Sequence, residues 1–354
     1  MEQTKRNGYI DIIKFVFALV IMEFHQGTGL FPGGRIAVEG FFMISGYLMM
    51  RYLERNPYPQ DGLGLSTARF IGHKYKSLLP FLLPSVLLGY IVSCITGQSG
   101  LKAALAKLPL LLFEVVPLKD AGFAGYYVLG ISWYLSAMFV ALAILYPMCK
   151  KWGRNFVLTV CPVAAMLIYG YFSSVYGHLA IGSAYIDGIM INVGVLRGFA
   201  ASALGCVLYE ICKSLSGKKV SIQGRLLFAL LEVVGFALLF ALVRGYPKSK
   251  YDYVCIFVIF GLLIIGISGI SATSLLYRGN WTKKFGTWST LIVLNHYCFN
   301  SFLSKRFGAG YIHTNKVWLY HLCVICACVV VYFLSKVVEL VMKKLSEAKL
   351  FEKE

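Results

Sequence analysis

The chain has 354 residues, of which 58% are hydrophobic and only 14% charged, and its mean hydropathy is +0.71. Soluble domains run nearer half apolar and a quarter charged, so this composition excludes a soluble globular protein. Spans of about 20 residues leave room for roughly ten membrane helices and no sizeable soluble domain. The 34 basic residues against 16 acidic ones give a net charge of +18, and most of the excess sits between apolar runs, so positive-inside topology explains it without a nucleic-acid partner.

The first apolar run, Tyr9 to Leu30, has a short basic start but no small-residue cleavage site, and it carries Asp11, Lys14, Glu23 and His25. It reads as an uncleaved first span. The second, Ile36 to Leu53, follows a loop of glycine and proline (Gly27, Gly29, Pro32, Gly33, Gly34) and opens with Arg35 and Glu39. Further runs are Ser77 to Thr96, Ile131 to Cys149, Phe156 to Phe172, Ile189 to Ile211, Leu226 to Val243, Tyr253 to Ser271, Ser289 to Leu303 and Val317 to Met342. The stretch Leu101 to Leu118 is interrupted by Lys102, Lys107, Pro109 and Glu114. Leaving it out of the spans puts the main basic clusters on the side of the amino terminus, so it reads as re-entrant or as lying on the outer surface. The expected fold is all-α: a single transmembrane domain over residues 1–354, a polytopic helix bundle of ten spans with both termini cytoplasmic. The ten cysteines lie almost wholly inside apolar runs and read as small buried hydrophobes rather than metal ligands.

An ionisable side chain in hydrocarbon is costly and needs a partner, a water-filled cavity or a function. Lys14 and His25 are eleven residues apart. They fall within roughly 20° of one another on the helix face, with His25 about 16 Å farther across the bilayer. Asp11 shares that stripe, whereas Glu23 points to the opposite face and reads as a structural or locally paired residue. Antiparallel pairing of the first two spans sets His25 and Glu39 at similar depth, which allows the carboxylate to hold one imidazole nitrogen and leave the other free as a base. The plainer alternative pairs Glu39 with Arg35 one turn away and leaves His25 as an interhelical hydrogen-bonding residue.

The run YIDIIKFVFALVIMEFH has an aspartate, a basic residue three on, then ten residues and a histidine, and GRIAVEGFFMISGYL follows it. Together they resemble the amino-terminal signature of the acyltransferase-3 family of membrane O-acyltransferases. Lys74, Lys76 and Pro80 resemble that family's basic cluster and the proline opening its third span, and SWYLSAMFVALAILYP resembles its Trp, Leu and later Pro run. Arg197 with Gly205, and Asn295, His296 and Tyr297, resemble later elements. The chain departs at Met138, where many members carry a glutamate.

The resemblance implies transfer of an acyl group, most often acetyl, from cytoplasmic acyl-coenzyme A to a hydroxyl of a cell-surface glycan or its precursor. It further implies a stand-alone enzyme of the bacterial plasma membrane, without an extracellular esterase-like domain, with acyl-coenzyme A as substrate and no permanently bound cofactor. On this reading His25 is the base and Glu39 its orienting partner, while Lys14, Lys74 and Lys76 hold the coenzyme A phosphates. Arg197 binds a phosphate or carboxylate, or alternatively snorkels or pairs with a carbonyl. Asp11, Arg35, Ser45, Trp133 and His296 are supporting residues: Ser45 as a packing contact, Trp133 in an aromatic belt, and His296 as a structural interhelical donor. The alternative from another class is a polytopic transporter or glycan-export component, for which repeated halves would be the mark. No internal repeat is present in the sequence.

Overall fold

The computed structural model describes residues 6–57, 61–97, 101–121, 125–181, 185–186, 191–313 and 316–351. Helix α1 is Gly8–Gln26, α2 Ala37–Arg55, α3 Leu63–Thr96, α4 Leu101–Lys107, α5 Leu112–Val115 and α6 Ser132–Val175. They are followed by α7 Val193–Leu215, α8 Ile222–Gly245, α9 Tyr251–Ser268, α10 Thr282–Asn295, α11 Tyr297–Phe307 and α12 Trp318–Phe351. Among the described residues, seven helices are long and apolar enough to cross a membrane: α2 with the 3-10 turn before it, α3, α6, α7, α8, α9 and α12. The protein is a multi-pass, all-helical membrane protein.

Each apolar run of the sequence falls on a helix, but not one to one. Two runs share α6, whose two halves meet at Gly153 with φ 60° and ψ −146°, a conformation open to glycine and costly for a residue with a Cβ. The run Ser289 to Leu303 is divided between α10 and α11, and residues 189–190 of another lie outside the described residues. The break after α10 has a local cause. Asn295 Nδ2 donates to Leu291 O at 2.8 Å, and His296 Nδ1 lies 3.0 Å from both Ile292 O and Val293 O. Side chains competing for these carbonyls disturb the backbone ladder and bend the helix. The stretch 101–118 holds α4 and α5, of 7 and 4 residues, each far too short to span a bilayer.

Helix α1 starts where the Asn7 side chain accepts from Tyr9 N–H at 3.0 Å, and it ends at Gly27, whose φ of 81° is left-handed. Small residues let α2 and α7 touch backbone to backbone. A Cβ at Gly46 would sit 2.0 Å from Ser202 O, and one at Gly205 would sit 2.0 Å from Met43 O. This close approach, typical of small-residue interfaces between membrane helices, brings the start of α2 against the start of α7. Helix α10 is tied to α1 by Ser289 Oγ donating to Lys14 O at 2.8 Å. The buried Glu114 of α5 accepts from Val128 N–H and Leu129 N–H, both at 2.8 Å, and from Ser132 Oγ, which anchors the start of α6. Burial pushes the Glu114 carboxyl above its usual pKa, against the lowering by these donors.

Candidate active site

Two cavities are stacked along the bundle. One, of about 270 Å³, is lined by Lys14, Ser45, Lys74, Met138 and Ser289 among others. The second, of about 440 Å³, is lined by His25, Arg35, Trp133, Arg197, Lys248 and Tyr297 among others. Phe41, Ile131, Tyr134 and Val293 line both. The order is the same on α1, α2 and α6: residues nearer one end of the helix line the first cavity and residues nearer the other end line the second. Four side chains therefore form the common wall of a lysine chamber and a histidine chamber.

At the histidine chamber, His25 Nδ1 lies 3.0 Å from His296 Nε2 and 3.1 Å from Ile21 O. His296 is fully buried. Its Nδ1 faces two carbonyl oxygens at 3.0 Å, and because a carbonyl can only accept, that nitrogen carries the proton in the neutral ring. His296 Nε2 is then an acceptor, and His25 Nδ1–H donates to it and to Ile21 O. The network thus assigns His25 the tautomer in which Nε2 holds a free lone pair, as a general base requires. Asn300 Nδ2 donates to His25 O at 2.7 Å and is held by Tyr311 OH, which donates to Asn300 Oδ1 at 2.9 Å. The Tyr297 ring meets His25 edge-on at 5.2 Å. It packs directly on Gly130, where a Cβ would come within 2.2 Å of the ring.

Several expectations are corrected by this geometry. Glu39 does not hold His25, nor does it pair with Arg35. Fully buried, it accepts from Arg197 Nε and Nη2 at 2.9 and 2.6 Å through Oε1, and from Tyr169 OH at 2.6 Å through Oε2. Helix α2 directs this carboxylate toward α7 rather than α1, because Gly46, two turns on along the same face, packs on Ser202 of α7, whereas the adjacent Gly40 faces Phe17 of α1. Arg35 pairs instead with Asp252 at 2.6 Å, which also accepts from Leu179 N–H. Arg197 lines the histidine chamber, away from the lysines it was grouped with, and its guanidinium lies 5.3 Å from the centre of the Trp133 ring. Trp133 therefore belongs to the chamber wall, not to an outer aromatic belt. Lys14 and Lys74 share a chamber, but Lys76 is exposed and outside the residues lining it. Ser45 Oγ faces Met138 Sδ at 3.4 Å in that chamber. Asp11 is occupied by Arg6, with two contacts of 2.7 Å, and Glu23 pairs with His321 Nε2 at 2.6 Å.

The family model for the acyltransferase domain, acyltransferase 3, matches residues 7–337, nearly the whole chain. The chain belongs to the acyltransferase-3 family. No curated protein and no solved structure matches it. For this membrane acyltransferase, sequence reasoning missed Tyr169, Asp252 and Lys248 as partners or lining residues, and it missed the contact of His296 with His25. Asp252 carried a usable signal, since an acid at the mouth of an apolar run needs a cation, and Arg35 and Arg197 were the buried candidates. No sequence signal specified which arginine meets which acid.

Proposed function

We propose that this acyltransferase carries an acetyl group from cytoplasmic acetyl-coenzyme A to a hydroxyl of a glycan, or of its precursor, on the outer side of a bacterial plasma membrane. The observation that supports this most is the pair of chambers sharing one wall, with lysines in one and the histidine base in the other. The donor is a slender arm ending in a thioester and carrying phosphates at its other end, and Lys14 and Lys74 suit those phosphates or their immediate neighbours. The clusters Lys150, Lys151 and Arg154, Lys213, Lys218 and Lys219, and Lys283 and Lys284 support a cytoplasmic position for the amino-terminal end of α1 and, with it, the lysine chamber.

In the transfer, His25 Nε2 takes the proton of the acceptor hydroxyl as its oxygen attacks the thioester carbonyl. The carbon–sulfur bond then breaks, and the thiolate leaves and recovers a proton from the imidazolium. His296 Nε2 accepts the other ring proton and holds His25 in the working tautomer, so it is a positioning residue. The test is to incubate the purified protein in nanodiscs with acetyl-labelled acetyl-coenzyme A and candidate glycans. Free coenzyme A and labelled glycan are expected together, and thioester turnover equal to that of empty nanodiscs with every glycan would overturn the reading.

A further inference from the structure

The histidine chamber has a charge character that the transfer chemistry itself does not demand. Among the described residues three cations line it, Arg35, Arg197 and Lys248, and no carboxylate does. Two of the three are already matched: Glu39 neutralises Arg197, and Asp252 neutralises Arg35. Lys248 is exposed and has no ion-pair or hydrogen-bond partner among the described residues. Arg35 nevertheless positions it, since Arg35 Nη1 donates to Pro247 O, the carbonyl immediately before Lys248. Gly33 N–H donates to Val243 O at 2.8 Å and straps the α1–α2 loop to the end of α8. The uncompensated ammonium is therefore held at the chamber rim by the protein's own buried ion pair.

A second observation is independent of the cavity. The short connection between α8 and α9 carries Lys248 and Lys250, and Arg244 stands in the last turn of α8 just before it. On the orientation proposed above this connection lies outside, where the positive-inside rule disfavours such residues in short loops. Cations kept there against that bias, beside a chamber with no acid among its described lining residues, call for an anionic occupant. A cleft of one sign of charge raises the local concentration of a ligand of the opposite sign.

We infer that the acceptor is an anionic glycan, one bearing a carboxylate or a phosphate near the hydroxyl it presents, and that Lys248 reads that charge. This rests on the acyl-transfer reading for which ligand occupies the chamber, and it adds the acceptor's chemical class. Neutral glycans lack the group that Lys248 pairs with and bind more weakly.

The probes are three oligosaccharides of one length: a β-1,4-glucose tetramer, its 6-carboxylate counterpart and its 6-phosphate counterpart. Equilibrium binding to the protein in nanodiscs is measured first, without donor. Tenfold or tighter binding of at least one charged tetramer over the neutral one is expected, with the stronger of the two identifying carboxylate or phosphate. Lys248→Glu should erase the difference, whereas Lys218→Glu, the same charge change between α7 and α8 at the far end, should keep it. Equal binding of all three tetramers, binding of none, or a preference that survives Lys248→Glu overturns the inference. Adding labelled acetyl-coenzyme A then separates the two claims. Charge-selective binding through Lys248 with no coenzyme A release would leave the acceptor site standing and remove the transfer reading, while release with no charge preference would do the reverse.

Discussion

His296 Nε2 lies 3.0 Å from His25 Nδ1, although the two residues are 271 positions apart and lie on opposite sides of the α1–α10 contact. The pair sets the tautomer of His25 because His296 is itself pinned by two backbone carbonyls. Replacing His25 by alanine should lower transfer by about 10² to 10⁴, the usual contribution of a general base. Membrane insertion and accumulation should stay at wild-type levels, since the side chain is only partly buried at a chamber wall. Steady-state rates per inserted molecule, quantified by in-gel detection of the protein, check this.

His296 should matter through His25 rather than through substrate. His296→Ala removes the acceptor that fixes the tautomer, and a loss on the order of 10²-fold in kcat with little change in either KM is expected. His296→Gln offers an amide oxygen that can accept the same bond and should recover part of the rate. Equal losses in both variants, accompanied by a lowered Tm, would reduce His296 to a packing residue.

The Glu39 carboxylate has a different role from the one its depth suggested. Glu39→Gln leaves the buried Arg197 guanidinium without its counter-charge, and breaking a buried pair in this way costs about 3–5 kcal/mol. The expected signature is a fall in Tm in detergent, with Arg197→Met in the Glu39→Met background restoring much of the loss. If Glu39→Gln kept full thermal stability and lost only rate, Glu39 would act on the chemistry directly.

Donor recognition should divide the three lysines. Lys14→Gln and Lys74→Gln are expected to raise KM for acetyl-coenzyme A several-fold with a smaller effect on kcat. Added salt should narrow the difference, as it screens charge more effectively near water. Lys76→Gln should be near wild type because it is exposed and outside the chamber. Three Michaelis curves at two ionic strengths suffice.

Much of the bundle was legible from hydrophobic run length alone, because every span must satisfy its backbone internally and so must be a long helix. The Lys14 and His25 stripe was legible too, since both lie on one helix and the helical period fixes their relation. What sits between helices was not. Glu39 and Arg197 are separated by 158 positions, and the Gly46 and Gly205 contacts that align them depend on which helices are neighbours. The short loop after α1 indicated that α2 returns beside it but left open which face of α2 turns toward α1, and Glu39 was therefore paired with His25 although His296 is the side chain that meets it. The bend at His296 was also hidden, since it arises from side chains competing for carbonyls inside an otherwise apolar run.

The most direct measurement is transfer across a sealed membrane. Protein reconstituted into liposomes is inserted in one orientation, established by cysteine accessibility at Lys151→Cys and Tyr246→Cys, with labelled acetyl-coenzyme A on the Lys151 side and an acidic oligosaccharide on the Tyr246 side. Label should appear in the oligosaccharide with the vesicles intact, and His25→Ala vesicles should show about a hundredfold less or lower still. Label that appears only when donor and acceptor share one compartment, or that appears equally with His25→Ala, would contradict two chambers meeting at a single histidine base.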